Sequence, residues 1–73
     1  MPKAVFSVSL NSEQVLQFYK GAKHRVQVRT EGGFTMSIPY DILVKYVTRE
    51  GVYGRFEITY STDGSLGQLV KIG

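Results

Sequence analysis

Hydrophobic and polar residues alternate along the first part of the chain. One face of residues 4–10 is apolar and the other is mixed, and a period of two is typical of a half-buried strand. We therefore predict a first strand over residues 4–10, and its inward side chains are Ala4, Phe6, Val8 and Leu10.

A helical pattern follows this strand directly. Asn11 stands three residues before Gln14, a variant of the capping box that marks a helix start. Gly21 supplies the left-handed residue that commonly ends a helix. We predict a helix over about Ser12–Lys20. Its apolar residues recur at helical spacing and are expected to face the core; they are Val15, Leu16, Phe18 and Tyr19.

Residues 24–30 and 34–38 alternate again and predict a hairpin. A two-residue loop would oppose Glu31 to Phe34 and mismatch the apolar faces, whereas a three-residue loop pairs Val28 with Met36. We therefore predict the loop Glu31-Gly32-Gly33. The side chains expected to point inward are Val26, Val28, Phe34, Met36 and Ile38.

The second half contains less regular signals. Pro39 fits the first turn of a short helix through Tyr46, and the glycines of Thr48–Gly54 predict a loop. Residues 55–61 form a clear strand, and Asp63-Gly64 predicts a hairpin turn after it.

The sequence does not decide which face of the last strand is buried. A two-residue turn pairs Ile58 with Leu69 but sends Val70 and Ile72 to the opposite face. Either the loop is longer, a bulge intervenes, or both faces of this strand are covered.

These elements predict one α+β domain over residues 1–73, in the order β-α-β-β-α-β-β. The expected architecture is a small antiparallel five-stranded sheet or a partly open barrel, with one main helix packed on the sheet. A chain of 73 residues without cysteine needs nearly all its apolar residues for its core. Function is therefore expected on the surface or between copies. The lack of a long apolar run predicts no membrane span, and we expect a soluble, cytoplasmic protein.

Positive charge is concentrated in one stretch. The net charge is +3, and four of the nine basic residues lie within residues 20–29. Alternation places Arg25, Gln27 and Arg29 on one outward face, and Lys20 and Lys23 precede them. Such a ridge can bind an anionic partner, with nucleic acid the first candidate. The alternative is that these cations only protect an edge strand from aggregation.

The sequence gives little support for catalytic activity or for metal binding. With no cysteine, a nucleophile would have to be a serine or threonine activated by the single histidine, His24. No spacing places an acid beside His24, the acids are scattered, and no metal-ligand motif occurs. Gly32-Gly33 lacks the lysine and the following helix of a phosphate-binding loop. We predict no enzyme, no cofactor and no metal.

A second candidate surface is the predicted loop before the strand at residues 55–61. Val52 and Tyr53 are expected to form an exposed apolar knob beside Arg55, suited to a protein partner. An edge strand that pairs two copies into a homodimer is the related alternative.

The sequence also resembles a known family over almost its full length. The resemblance rests mainly on Phe18-Tyr19-Lys20-Gly21, Ile38-Pro39, Leu43 with Tyr46-Val47-Thr48, and Gly51-Val52-Tyr53-Gly54-Arg55-Phe56-Glu57-Ile58. The family consists of short bacterial proteins known only as a domain of unknown function. The resemblance implies a small stand-alone bacterial protein, and it carries no activity and no functional residues.

Overall fold

The computed structural model describes residues 2–73. Over this range the chain forms five strands, one α-helix and one 3₁₀ helix. They are β1 (Lys3–Asn11), α1 (Ser12–Tyr19), β2 (Arg25–Arg29), β3 (Thr35–Pro39), the 3₁₀ helix (Tyr40–Tyr46), β4 (Gly51–Tyr60) and β5 (Leu66–Lys71).

The strands form two antiparallel sheets, so the predicted single five-stranded sheet is wrong. Strand β4 is central in a three-stranded sheet with β1 and β5, and β2 pairs only with β3. The two sheets meet at one isolated bridge between Phe6 and Thr30, where the Glu31 N–H donates to the Val5 carbonyl at 2.7 Å.

The two sheets separate beyond this bridge, on the side of helix α1. Continuing the register of Phe6 and Thr30 would set Leu10 opposite Val26. Instead these two residues lie on the walls of an open groove. The helix starts immediately after β1, and its Gln14 and Phe18 also line this groove.

The predicted start and stop of α1 are confirmed. The Gln14 N–H donates to Asn11 Oδ1, and the Asn11 N–H donates to Gln14 Oε1, both at 2.9 Å. The helix ends at Tyr19 with Lys20 as its C-cap. Gly21 then takes a φ of +78°, and the Ala22 N–H donates back to the Gln17 carbonyl at 3.0 Å, which completes a Schellman motif.

The predicted inward face of α1 is only partly right. Val15 is buried and Phe18 packs against the core, whereas Leu16 and Tyr19 are exposed. A helix of eight residues makes little more than two turns, and only a narrow stripe of it reaches the core.

The hairpin has the register predicted from its alternation. Val26 pairs with Ile38 and Val28 pairs with Met36, and Gly33 holds the left-handed position of the loop with φ +92°. Phe34, by contrast, is exposed rather than inward. It lies beside the loop, outside the regular β2–β3 pairs, and its ring meets that of Tyr60 edge-on at 6.3 Å.

The predicted loop over Thr48–Gly54 is wrong in its second half. Strand β4 begins at Gly51 and pairs with every residue of β1, from Asn11–Gly51 to Lys3–Thr59. Gly51 has φ +122°, and a Cβ atom there would lie 1.9 Å from the Leu10 carbonyl oxygen. Glycine at this position therefore allows β1 and β4 to approach closely, and it does not mark a loop.

A bulge resolves the open question about the last strand. Ile58 pairs with Leu69 as predicted, but Tyr60 pairs with Leu66, so the register shifts by one residue between them. The Thr59 hydroxyl accepts a hydrogen bond from the Gln68 N–H at 2.8 Å within this irregularity. Val70 and Ile72 are exposed, so only one face of β5 is covered.

The core lies between the three-stranded sheet, α1, the hairpin and the 3₁₀ helix. Phe6 and Phe56 stack at 6.0 Å across β1 and β4, and Tyr46 meets Phe56 edge-on at 5.1 Å. Tyr40 is only 6% exposed. Its ring stacks on Phe18 of α1 with centroids 4.4 Å apart.

Candidate functional site

The separation of the two sheets opens a groove between α1 and β2. This groove, here called the basic groove, has a volume of about 350 Å³. Its apolar lining is Leu10, Phe18 and Val26, and its polar lining is Gln14, Lys23, Arg25 and Gln27. Its lining contains two cations and no carboxylate, so its local charge is positive.

The alternation predicted for β2 determines which side chains are available there. Val26 and Val28 are buried, and the residues on either side of them are exposed. Arg25, Gln27 and Arg29 therefore share one face, as the sequence predicts. Within residues 2–73, neither Arg25 nor Arg29 forms an ion pair with a carboxylate.

Arg25 is held in place by the neighbouring strand. Its Nε donates to the Ser37 hydroxyl at 2.8 Å, and its Nη2 donates to the Ser37 carbonyl at 2.7 Å. A guanidinium group has five N–H donors, so three remain for a ligand. The charge is thus oriented before any partner binds, which lowers the entropic cost of binding.

The backbone of β2 also faces the groove. The Tyr40 N–H donates to the His24 carbonyl at 3.0 Å, and the Thr30 N–H donates to the Phe34 carbonyl at 2.8 Å. Only every second residue of an antiparallel strand bonds to a given neighbouring strand. These two bonds therefore determine that the even-numbered residues of β2 bond to β3. Arg25 and Gln27 consequently direct their backbone N–H and C=O groups away from β3, toward the gap between the sheets.

The structure gathers only part of the predicted basic ridge. Lys23, Arg25 and Gln27 line the basic groove, whereas Lys20 and Arg29 lie outside its lining. Lys20 caps the end of α1, and Arg29 lies at the far end of β2, next to the hairpin loop.

Sequence reasoning missed four contributors to this groove. Gln14 reaches it from α1 after using its Oε1 atom in the helix cap, which leaves its amide NH₂ group to donate. Leu10, Phe18 and Val26 form its apolar wall. The relative placement of helix and hairpin brings them together, and no local pattern in the sequence encodes that placement.

The second predicted surface is not an exposed knob. Val52 is completely buried, and only Tyr53 beside it is exposed. Arg55 is engaged in an ion pair with Glu31, with a shortest distance of 2.5 Å. This pair holds the pKa of Glu31 below its ordinary value of 4.5, chiefly through the hydrogen bond from Arg55.

A larger cavity of about 510 Å³ lies between the 3₁₀ helix and β5. Ile42 and Leu69 supply apolar surface, Val44 is an exposed apolar residue of the lining, and Asp41 and Lys45 add one charge of each sign. Strand β5 pairs with β4 on one side only and is the edge of its sheet, so this cavity adjoins an edge strand.

The described residues offer little to a metal or to acid–base chemistry. Between residues 2 and 73 no group of three or more His, Cys, Asp or Glu side chains could hold a metal ion. His24 is exposed, and its side chain has no hydrogen bond to a serine or a carboxylate in the same range. No helix in this part of the chain is long and apolar enough to cross a membrane.

Comparisons with known proteins identify a family but no activity. No curated protein and no solved structure shows significant similarity to the chain. The family model described as "Protein of unknown function (DUF2835)" matches residues 2–72. This match confirms the family resemblance seen in the sequence, and the chain belongs to that family of proteins of unknown function.

Proposed function

We propose that this protein is a non-enzymatic binding module that holds a nucleic acid, as its anionic partner, in the basic groove. The observation that carries the proposal is the convergence of Lys23 and Arg25 on one groove that has no carboxylate in its lining. The site of action is then the cytoplasm.

Several features of the groove support a phosphate ligand. Arg25 keeps three N–H donors free of Ser37, and Lys23 adds a second cation. Backbone N–H groups of β2 add neutral donors, which commonly contact phosphate oxygens. Two or three phosphate contacts give a weak affinity that does not depend on sequence. A plot of the logarithm of the binding constant against the logarithm of the salt concentration should have a slope of about −2.

The test is fluorescence anisotropy with labelled mixed-sequence DNA and RNA, at low and at high salt. The double variant Lys23→Gln/Arg25→Gln is expected to lose about tenfold or more in affinity at low salt. Arg49→Gln/Lys71→Gln removes the same charge at exposed positions outside the groove and is the matched control. Equal losses in the two variants, or no binding by the unmodified protein, would overturn the proposal.

A second candidate function is self-association at the unpaired edge of β5. The cavity beside this edge supports it because Asp41 and Lys45 both line it. In a two-fold interface each residue can meet the other type on the partner copy, so this surface is complementary to itself. A standard interface buries about 800 Å² per partner, which is about a sixth of the 4825 Å² exposed by one copy.

A charge-swap series tests the dimer directly. Asp41→Lys or Lys45→Asp alone brings like charges together and is expected to shift sedimentation toward the monomer. The double swap Asp41→Lys/Lys45→Asp restores both pairs and is expected to restore the dimer. A protein that sediments as a monomer at every concentration would contradict this candidate.

A further inference from the structure

Tyr19 is an exposed aromatic ring beside the basic groove. It is the last residue of α1, and it is 63% exposed, the highest value among the exposed large hydrophobic residues. The residue before it, Phe18, lines the groove. Lys20 and Lys23 follow it closely in the chain, and Lys23 lines the groove as well.

Contacts below the ring restrict its orientation without burying it. Tyr19 meets the ring of Tyr40 edge-on, with centroids 6.1 Å apart and planes inclined at 79°. Tyr40 in turn stacks on Phe18 with planes only 5° apart. Tyr40 is buried, and its hydroxyl group has no hydrogen-bond partner within residues 2–73. The three rings form one cluster whose outermost member is open to solvent.

A purely structural role explains this arrangement incompletely. Tyr19 covers one edge of Tyr40, and burial together with the nearby Tyr19 hydroxyl raises the pKa of Tyr40, but neither effect needs an aromatic face that is open to solvent. A large aromatic face braced from below and left open is the arrangement on which nucleic-acid bases stack in single-strand binding proteins. Base stacking needs an aromatic face next to a cationic track for the backbone, and both are present here.

We propose that Tyr19 is a base-stacking residue and that the ligand of the basic groove is single-stranded nucleic acid. This inference rests on the proposed function. The phosphate backbone follows Lys23 and Arg25, and one base leaves the strand to stack on Tyr19. A duplex keeps its bases paired and stacked internally, so it offers the ring no base face. Single strands should therefore bind more tightly than duplexes of the same sequence.

Substitutions at position 19 separate stacking from structural cover. Tyr19→Leu keeps an apolar cover over Tyr40 but removes the ring, and it is expected to reduce single-strand affinity about fivefold or more. Tyr19→Phe keeps the ring and is expected to bind as the unmodified protein does. Tyr53→Leu removes another exposed ring, on β4, and should leave affinity unchanged.

A spectroscopic test of stacking does not require any variant to lose affinity. The sequence contains no tryptophan, so Tyr19→Trp introduces a single reporter. A base that stacks on it is expected to quench its fluorescence upon addition of a single-stranded oligonucleotide. Tyr53→Trp is the matched control and should show no quenching.

The outcomes distinguish this inference from the function on which it rests. If binding requires Lys23 and Arg25 but Tyr19→Leu binds normally and Tyr19→Trp is not quenched, the stacking role is overturned and the proposed function stands. If duplex and single strand bind equally, the single-strand preference is overturned. If the unmodified protein binds no oligonucleotide at low salt, the proposed function fails and this inference fails with it.

Discussion

Arg55 on β4 donates two hydrogen bonds to the carboxylate of Glu31 in the hairpin loop, from Nε at 2.5 Å and from Nη2 at 2.7 Å. This bidentate pair ties the two-stranded sheet to the three-stranded sheet close to their only bridge in residues 2–73. Both side chains are about half exposed, so water and salt screen the interaction.

The pair predicts a pH-dependent contribution to stability. Because Arg55 lowers the pKa of folded Glu31 below 4.5, the contribution is present above that pH and is lost as the pH falls through the folded value. Glu31→Gln is expected to lower the denaturation midpoint at neutral pH and to differ less from the unmodified protein in acid. Chemical denaturation across this range measures the difference; a deficit that does not change with pH would contradict the prediction.

Truncation to alanine should destabilise the protein much more at Val52 than at Tyr53. Val52 is fully buried in the core, whereas Tyr53 is 47% exposed on the other face of β4. Val52→Ala is expected to cost about 1–3 kcal/mol in the free energy of unfolding. Tyr53→Ala should change it by less than about 0.5 kcal/mol. Urea denaturation compares the two, and equal effects would mean that this segment is not a strand.

Gly51 should tolerate no side chain. A Cβ atom at Gly51 would meet the Leu10 carbonyl oxygen at 1.9 Å, and its φ of +122° is strained for any other residue. Gly51→Ala is therefore expected to destabilise the protein by more than about 3 kcal/mol or to prevent folding.

Gly64 provides the matched control for this substitution. Its φ is +89°, but no atom lies within 4 Å of its Cβ position. Gly64→Ala should therefore cost only about 1–2 kcal/mol, the conformational part of the penalty. Thermal unfolding distinguishes the two variants, and similar losses would show that the close contact at Leu10 contributes nothing.

Asp63 should titrate at unusually low pH. The Ser61 hydroxyl donates to its Oδ1 atom, and the Ser65 N–H donates to the same atom at 3.0 Å. These bonds lower the pKa of Asp63 from 3.8 to about 2. Ser61→Ala is expected to raise that pKa, as read from the carboxyl resonance by NMR. Ser9→Ala, at an exposed position on β1, is the control and should leave the titration unchanged.

Sequence alone predicts the local parts of this fold well. Alternation fixes the pairing of Val26 with Ile38, since a shift of one residue would turn every apolar side chain to water. The reciprocal bonds of Asn11 and Gln14 join residues three apart, so they are also readable from a short segment. These features depend on near neighbours in the chain.

The errors arise where distant elements decide the outcome. Gly51 and Gly54 have the composition of a loop, but pairing with β1 makes the segment a strand. The even-numbered positions from Val52 through Phe56 to Ile58 continue one apolar face, and this was the signal that could have revealed it. Similarly, Tyr19 is exposed although its helical spacing predicts an inward position, because the short helix meets the core with Phe18 and Val15 only.

The candidate site shows the same division. The shared face of Arg25 and Gln27 follows from alternation within one strand and is predicted correctly. The walls contributed by Leu10 and Phe18 require the path of α1 across the gap between sheets, and the brace under Tyr19 requires the position of Tyr40. Both depend on tertiary contacts that no spacing in the sequence specifies.

Over residues 2–73 the bridge between Phe6 and Thr30 is the one β-bridge that joins the two sheets. Beyond it, the backbone N–H groups of Arg25 and Gln27 point away from β3 and toward the basic groove. Their amide protons should therefore exchange with solvent faster than those of Val26 and Val28, which pair with Ile38 and Met36. A ligand that fills the groove and accepts hydrogen bonds from these two amides should slow their exchange.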